Sequence, residues 1–122
     1  MNLTPHVVKV RTESGIVEFP PSGIVARRRL IASEPVYASS VAVRMLVRGT
    51  VDDLPPPVEG VVYICSAIAA EAASRLGRRD VVSPDSRRRF SQRDDSGHVT
   101  IVDGFLMHMD ILDSLDSPGV TA

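Results

Sequence analysis

Cysteine and lysine are each represented once in this chain, by Cys65 and Lys9, and tryptophan is absent. A lone cysteine excludes an intramolecular disulfide and suits a reducing compartment. No stretch approaches the ~20 consecutive apolar residues of a membrane span, and the opening MNLTPHVVKV lacks a basic segment ahead of a long apolar run. The expected setting is therefore cytoplasmic, with no membrane partner. A net charge of -1 excludes the strongly basic face that duplex nucleic acid demands. Glycine motifs of the Walker or Rossmann kind are missing, and His6, His98 and His108 lack the HxxxH or HxxEH spacing of a metal site. No cofactor and no metal are expected.

What is present is an ordinary globular composition: 122 residues, 43% hydrophobic and 24% charged. That is enough for one domain with a modest core. The domain is expected over residues 1–112. Residues 113–122, with Ser, Asp, Pro and Gly in no period, read as a flexible tail.

Periodicity predicts an α+β fold, mainly an antiparallel β-sheet of meander and hairpins packed against one main helix. His6 to Thr12 alternates apolar and polar residues, Glu13-Ser14-Gly15 turns, and Ile16 to Phe19 returns as a hairpin arm. Pro20-Pro21-Ser22-Gly23 stops that arm. Ile24 to Ile31 resumes as a strand, and Val36 to Val47 adds one long strand or two shorter ones. Pro55-Pro56-Pro57 is a stiff connector that ends at Gly60. Val61 to Ile64, with no polar face, predicts a strand covered on both sides.

The helix is expected over Ser66 to Leu76. Ser66 suits the N-cap, Ala67, Ala69, Ala70 and Ala73 form a narrow apolar face, Glu71 and Arg75 stand four apart, and Gly77 fits the C′ position. Val81-Val82 then returns as a short strand. Arg87 to Arg93 and His98 to Val102 flank Asp94-Asp95-Ser96-Gly97 as a hairpin, which Phe105 to Met109 extends beyond Asp103-Gly104.

Few residues here suit catalysis. Cys65 lies in an apolar run at a strand-helix junction, where a small buried residue is the better reading. Asp52-Asp53 and Asp94-Asp95 fall in expected turns, where aspartate serves the backbone. The remaining chemistry is cationic: Arg27-Arg28-Arg29, Arg78-Arg79, Arg87-Arg88-Arg89 and Arg93. On strands, Arg27 and Arg29 share one face, as do Arg87 and Arg89. Guanidinium forks bind phosphate and stack on bases, and Phe90 and Tyr63 are the aromatic candidates for a base platform. A helix starting directly after a strand, at Ser66, also offers free N–H groups to an anion. The competing reading is a solvated face with ion pairs to Asp80, Asp85, Asp94 and Asp95.

The segments NLTPHVVKV, PPSGIVARR, LPPP-x-x-GVVYICSAIAAEA, GRRDVVSPD and RDDSGHV, in that order, resemble a group of small phage and prophage proteins. The layout is also similar to the first-described Thoeris anti-defence family, which sequesters a cyclic ADP-ribose immune signal. The resemblance implies a homo-oligomer that holds a small-molecule nucleotide signal between protomers without cleaving it. It implies ligand contacts at Arg78, Arg79 and Asp80 after the helix, and at Arg89, Phe90 and Arg93 before the turn. The chain departs from that pattern over residues 87–92 and after Val102. The alternative reading is a phage protein that inhibits or adapts a host protein by direct binding.

Overall fold

Val8 and Val10 are buried while Lys9 and Arg11 face water, the period that makes β1 (Val8–Thr12) a half-buried strand. It pairs antiparallel with β2 (Gly15–Phe19), and the tight loop between them is Glu13-Ser14, with Gly15 already opposite Thr12. This computed structural model describes residues 1–109, so the tail expected at 113–122 lies outside the described residues.

A long antiparallel ribbon follows. β3 (Arg27–Ala32) pairs with β6 (Leu46–Asp52), and a second hairpin, β4 (Val36–Ala38) with β5 (Val41–Val43), forms its tip. The stretch expected as one or two strands over Val36 to Val47 thus contributes to three. Its tip turn is Ser39-Ser40, both at positive φ (48° and 66°), a conformation usually given to Asn or Gly in two-residue hairpins. Nothing in the composition signals it. Residues 24–26, expected as strand, instead run irregularly, and the Ala26 N–H donates to the Leu3 carbonyl.

β7 (Tyr63–Ile64) leads directly into α1 (Ala67–Arg75), and β8 (Val81–Pro84) returns parallel to β7. Ser66 caps α1 by accepting from the Ala69 N–H, and the C-terminus closes with Arg78 N–H to Ala73 and Gly77 N–H to Ser74. Those two bonds are a Schellman closure, which requires the positive φ of 90° that Gly77 adopts. Ala69, Ala70 and Ala73 are buried as the pattern predicts, but Ala67 is exposed.

The expected strand over Arg87 to Arg93 is half correct. Arg88–Phe90 winds as a 3-10 turn, closed by Phe90 N–H to Arg87, and only β9 (Ser91–Arg93) is extended. Arg87 and Arg89 therefore do not share a strand face. β10 (Val99–Val102) pairs antiparallel with β9 and parallel with β1. β11 (Phe105–Leu106) does not extend that hairpin but crosses to pair with β8.

The sheets are ordered β2-β1-β10-β9 and β11-β8-β7. The fold is thus α+β, with mostly antiparallel pairing and, among the described residues, two parallel strand pairs. β7 is covered on both sides, as its unbroken apolar run predicts, and β8 beside it is covered likewise. One face carries Tyr63, Cys65 and Val81 against α1 and the ribbon's root at Ala26 and Val51. The other carries Ile64 and Val82 against Val8, Val10 and Val102. Burying each such valine or isoleucine stabilises the fold by roughly 1.5–3 kcal/mol, and alanines on α1 let the helix lie close.

Candidate functional site

Parallel β7 and β8 give the small central sheet a carboxyl end and an amino end, and the site candidates divide between them. Ser66 follows β7 at the carboxyl end, beside Asp85 and Ser86 which follow β8. Tyr63 and Asp80 meet at the amino end, where the Tyr63 N–H donates to the Asp80 carbonyl. The nine residues of α1 separate Ser66 from Arg78 and Arg79 by about 13 Å.

At the amino end the cations are held by the chain itself. Arg78 donates from Nε and Nη2 to the two carboxylate oxygens of Asp80, at 2.8 and 2.9 Å, and to the Pro55 carbonyl. These bonds hold the Asp80 carboxyl below its usual range and raise the Arg78 guanidinium above its own. Arg79 donates to the carbonyls of Ser74 and Arg78. Tyr63 is 2% exposed, with its hydroxyl donating to Pro56 and the Arg78 guanidinium over its ring. A ring so enclosed has no face open to a base.

Beyond the carboxyl end, Arg87 grips the buried Asp85 through two bonds of 2.8 and 2.7 Å, which hold that carboxyl below its usual range. Phe90 is half-buried, and the guanidinium groups of Arg87 and Arg89 lie over its ring at 4.5 and 5.6 Å. Arg93 donates to the carbonyls of Ser86 and Gly97, bracing the segment that leaves β8. Asp94 accepts from the N–H groups of Ser96 and His98, the turn role expected of it.

A cavity of about 280 Å³ opens between this segment, the N-terminus of α1 and β1, with Thr4, His6, Lys9, Ser66, Ser86 and Thr100 among its lining. A neighbouring groove of about 420 Å³ shares Thr4 and Ser66 and is flanked by Arg27 and Arg28. Among the described residues, the N–H groups of Ala67 and Ile68 have no hydrogen-bond partner, because Ser66 serves Ala69 and Ala70. Two free donors at a helix N-terminus, the Lys9 ammonium, which also reaches the Glu18 carboxylate at 3.6 Å, and the guanidinium groups of Arg27 and Arg28, which alternate along β3, are groups that hold phosphate. Ser66 is the one residue of the sequence reading that lines this cavity. Lys9 and Thr4 join it, and Arg27 and Arg28 the neighbouring groove, through the parallel β1–β10 contact and the course of residues 1–4 beside Ile64, which no local pattern reveals.

Two further groups bear on chemistry. Cys65 is fully buried, and burial pushes its thiol up to about 11, with the Arg78 charge opposing. It is a core residue. The Ser83 hydroxyl lies 2.8 Å from His108 Nε2, but Ser83 is 0% exposed and out of reach of a substrate. His98 instead faces Asp94, and no cluster of three metal-ligating side chains exists among the described residues. None of their helices is long and apolar enough to cross a membrane. Comparisons with protein-family models, with curated proteins and with solved structures return no match.

Proposed function

We propose that the protein binds a nucleotide immune signal of the cyclic ADP-ribose type and holds it intact, as a phage anti-defence protein in the cytoplasm of the infected bacterial cell. The observation that carries this reading is the cavity at the N-terminus of α1. Its volume, about 280 Å³ with about 420 Å³ in the adjoining groove, is in the size range of small-molecule sites. Ala67 and Ile68 offer free N–H donors, Lys9 stands on one side, and Arg27 and Arg28 on the other. Valine side chains of β1 and β10 supply an apolar wall for a base or ribose. These groups donate hydrogen bonds and positive charge, which is retention of an anion rather than attack on it.

The second reading, direct binding to a host protein, draws on a different feature, the exposed apolar surface of the β3–β6 ribbon. Mass spectrometry separates the two. Purified protein is exposed to lysate from immune-activated cells, washed and heated. Release of an intact cyclic nucleotide supports sequestration. A hydrolysed nucleotide indicates catalysis, and a co-purifying host protein without nucleotide supports the second reading.

A further inference from the structure

The ribbon formed by β3, β4, β5 and β6 is apolar where a solvated hairpin is polar. Leu30, Ile31, Val36, Tyr37, Val41, Val43, Met45, Leu46 and Val47 are each 41% to 68% exposed. Directly opposed residues share a face, so Val36 and Val43 lie together with Ala38 and Val41, while Tyr37 lies on the other face with Ala42. Nearer the root, Ile31 pairs with Val47 on one face and Ala32 with Leu46 on the other. Neither face is the water side of an amphipathic hairpin.

Beyond its root, which packs on α1, the ribbon is also isolated. Its two-stranded sheets leave both outer edges unpaired. Among the described residues, the hydrogen bonds of residues 31–47 stay within the ribbon, with Ser33 N–H to the Met45 carbonyl and Met45 N–H to the Ser33 hydroxyl bridging its middle. A two-stranded hairpin alone is at best marginally stable in water. Something must cover it.

We propose that the occupant is the same ribbon of a second copy of this chain, the two arms packing antiparallel about a two-fold axis at their middles. Area is the first argument. Nine large side chains at these exposures present on the order of 800 Å² over the two faces together, more apolar surface than a solvated two-stranded arm carries. Charge is the second. Between Leu30 and Val47 the charged residues are Glu34 and Arg44 alone, one acid and one base flanking the Ser33–Met45 bridge. Both are exposed, and neither has an ion-pair partner among the described residues. A two-fold axis brings a residue of one copy against a different residue of the other, reciprocally. Antiparallel packing about the middle sets each Glu34 against the partner copy's Arg44, with an apolar half-arm covered on either side. A net-neutral arm carrying its own complement fits itself.

Sedimentation velocity tests the proposal on four proteins: wild type, Val36→Lys with Val43→Lys, Glu34→Arg, and Arg44→Glu. The wild type sediments at about 10 μM as twice the 13.2 kDa chain. The double lysine variant sediments as a monomer with an unchanged circular dichroism spectrum. Glu34→Arg and Arg44→Glu each weaken self-association by roughly tenfold or more. An equimolar mixture of these two restores it, because each repulsive pair then becomes attractive. That rescue is specific to contact between copies and independent of how the lysine variant folds. A monomeric wild type, a dimer unmoved by all three variants, or failure of the mixture to recover overturns the proposal. So does a ribbon that stays monomeric and binds a host protein instead.

Discussion

Arg78 and Asp80, two residues apart just ahead of β8, form a two-bond ion pair at the amino end of the central sheet. Its bonds measure 2.8 and 2.9 Å, and the side chains are 18% and 20% exposed. The arginine also holds the Pro55 carbonyl and covers Tyr63. It fastens the proline-rich connector to the strand that follows the helix. Arg78→Ala should therefore lower stability by about 2 kcal/mol, a figure reduced for water at the rim of the pair. The midpoint of urea unfolding measures it. Because Asp80 is held below its usual 3.8, the pair's contribution is present above about pH 4 and is lost as pH falls through the depressed value. Wild type and Arg78→Ala should converge in acid, and a gap that persists there contradicts this origin.

Cys65 predicts the opposite limb of the stability profile. Its thiol is pushed from 9.0 up to about 11 by burial. The unfolded chain loses the thiol proton first, so this contribution is fully present below about pH 9 and is lost as pH rises towards 11. The loss should amount to about 2–3 kcal/mol across that window. In Cys65→Ala the alkaline slope should flatten by that amount, as read from denaturant midpoints at pH 8, 9, 10 and 11. An equal slope in both proteins would show that the folded thiol ionises as readily as the unfolded one, so that burial does not raise it.

Local chemistry made part of the fold legible. Ser66 at the cap, the alanine face and Gly77 at C′ all operate within one helix, and the structure places them as the pattern does, Ala67 apart. The unbroken run at Tyr63 and Ile64 correctly announced a strand covered on both sides. Non-local contacts were not legible. The parallel pairing of Val10 with Val102 joins residues from the two ends of the described chain, and the transfer of Phe105 to β8 goes with the edge-to-face packing of Phe105 on Phe19 at 5.8 Å. The arginine run after Ser86 resembled a strand because its composition is neutral between strand and turn. Asp85 decides it by drawing Arg87 back and letting Arg88–Phe90 wind. Tyr63 looked available to a ligand because its burial depends on Arg78 and the proline connector.

Gly77→Ala should cost about 1–2 kcal/mol although open space surrounds the position. The cost lies in the backbone, since its φ of +90° is strained for any side chain carrying a Cβ. Thermal unfolding measures the loss. A neutral substitution would mean that the Schellman closure from Arg78 to Ala73 contributes little.

Calorimetric titration with cyclic ADP-ribose isomers and cyclic dinucleotides tests the nucleotide reading most directly. The wild type should bind one of these tighter than about 100 μM, roughly -5.5 kcal/mol. Lys9→Ala and Arg28→Ala, on the two sides of Ser66, should each weaken binding about tenfold or more, the loss of one charge-assisted phosphate contact. Arg89→Ala, over Phe90 beyond the cavity, tests whether the ligand reaches that ring, and a comparable loss places it there. Retention of the wild-type circular dichroism spectrum by each variant assigns the effect to the site. If no nucleotide binds the wild type below about 100 μM, or if Lys9→Ala and Arg28→Ala bind as tightly as the wild type, the cavity at the N-terminus of α1 is not a nucleotide site and the account is contradicted.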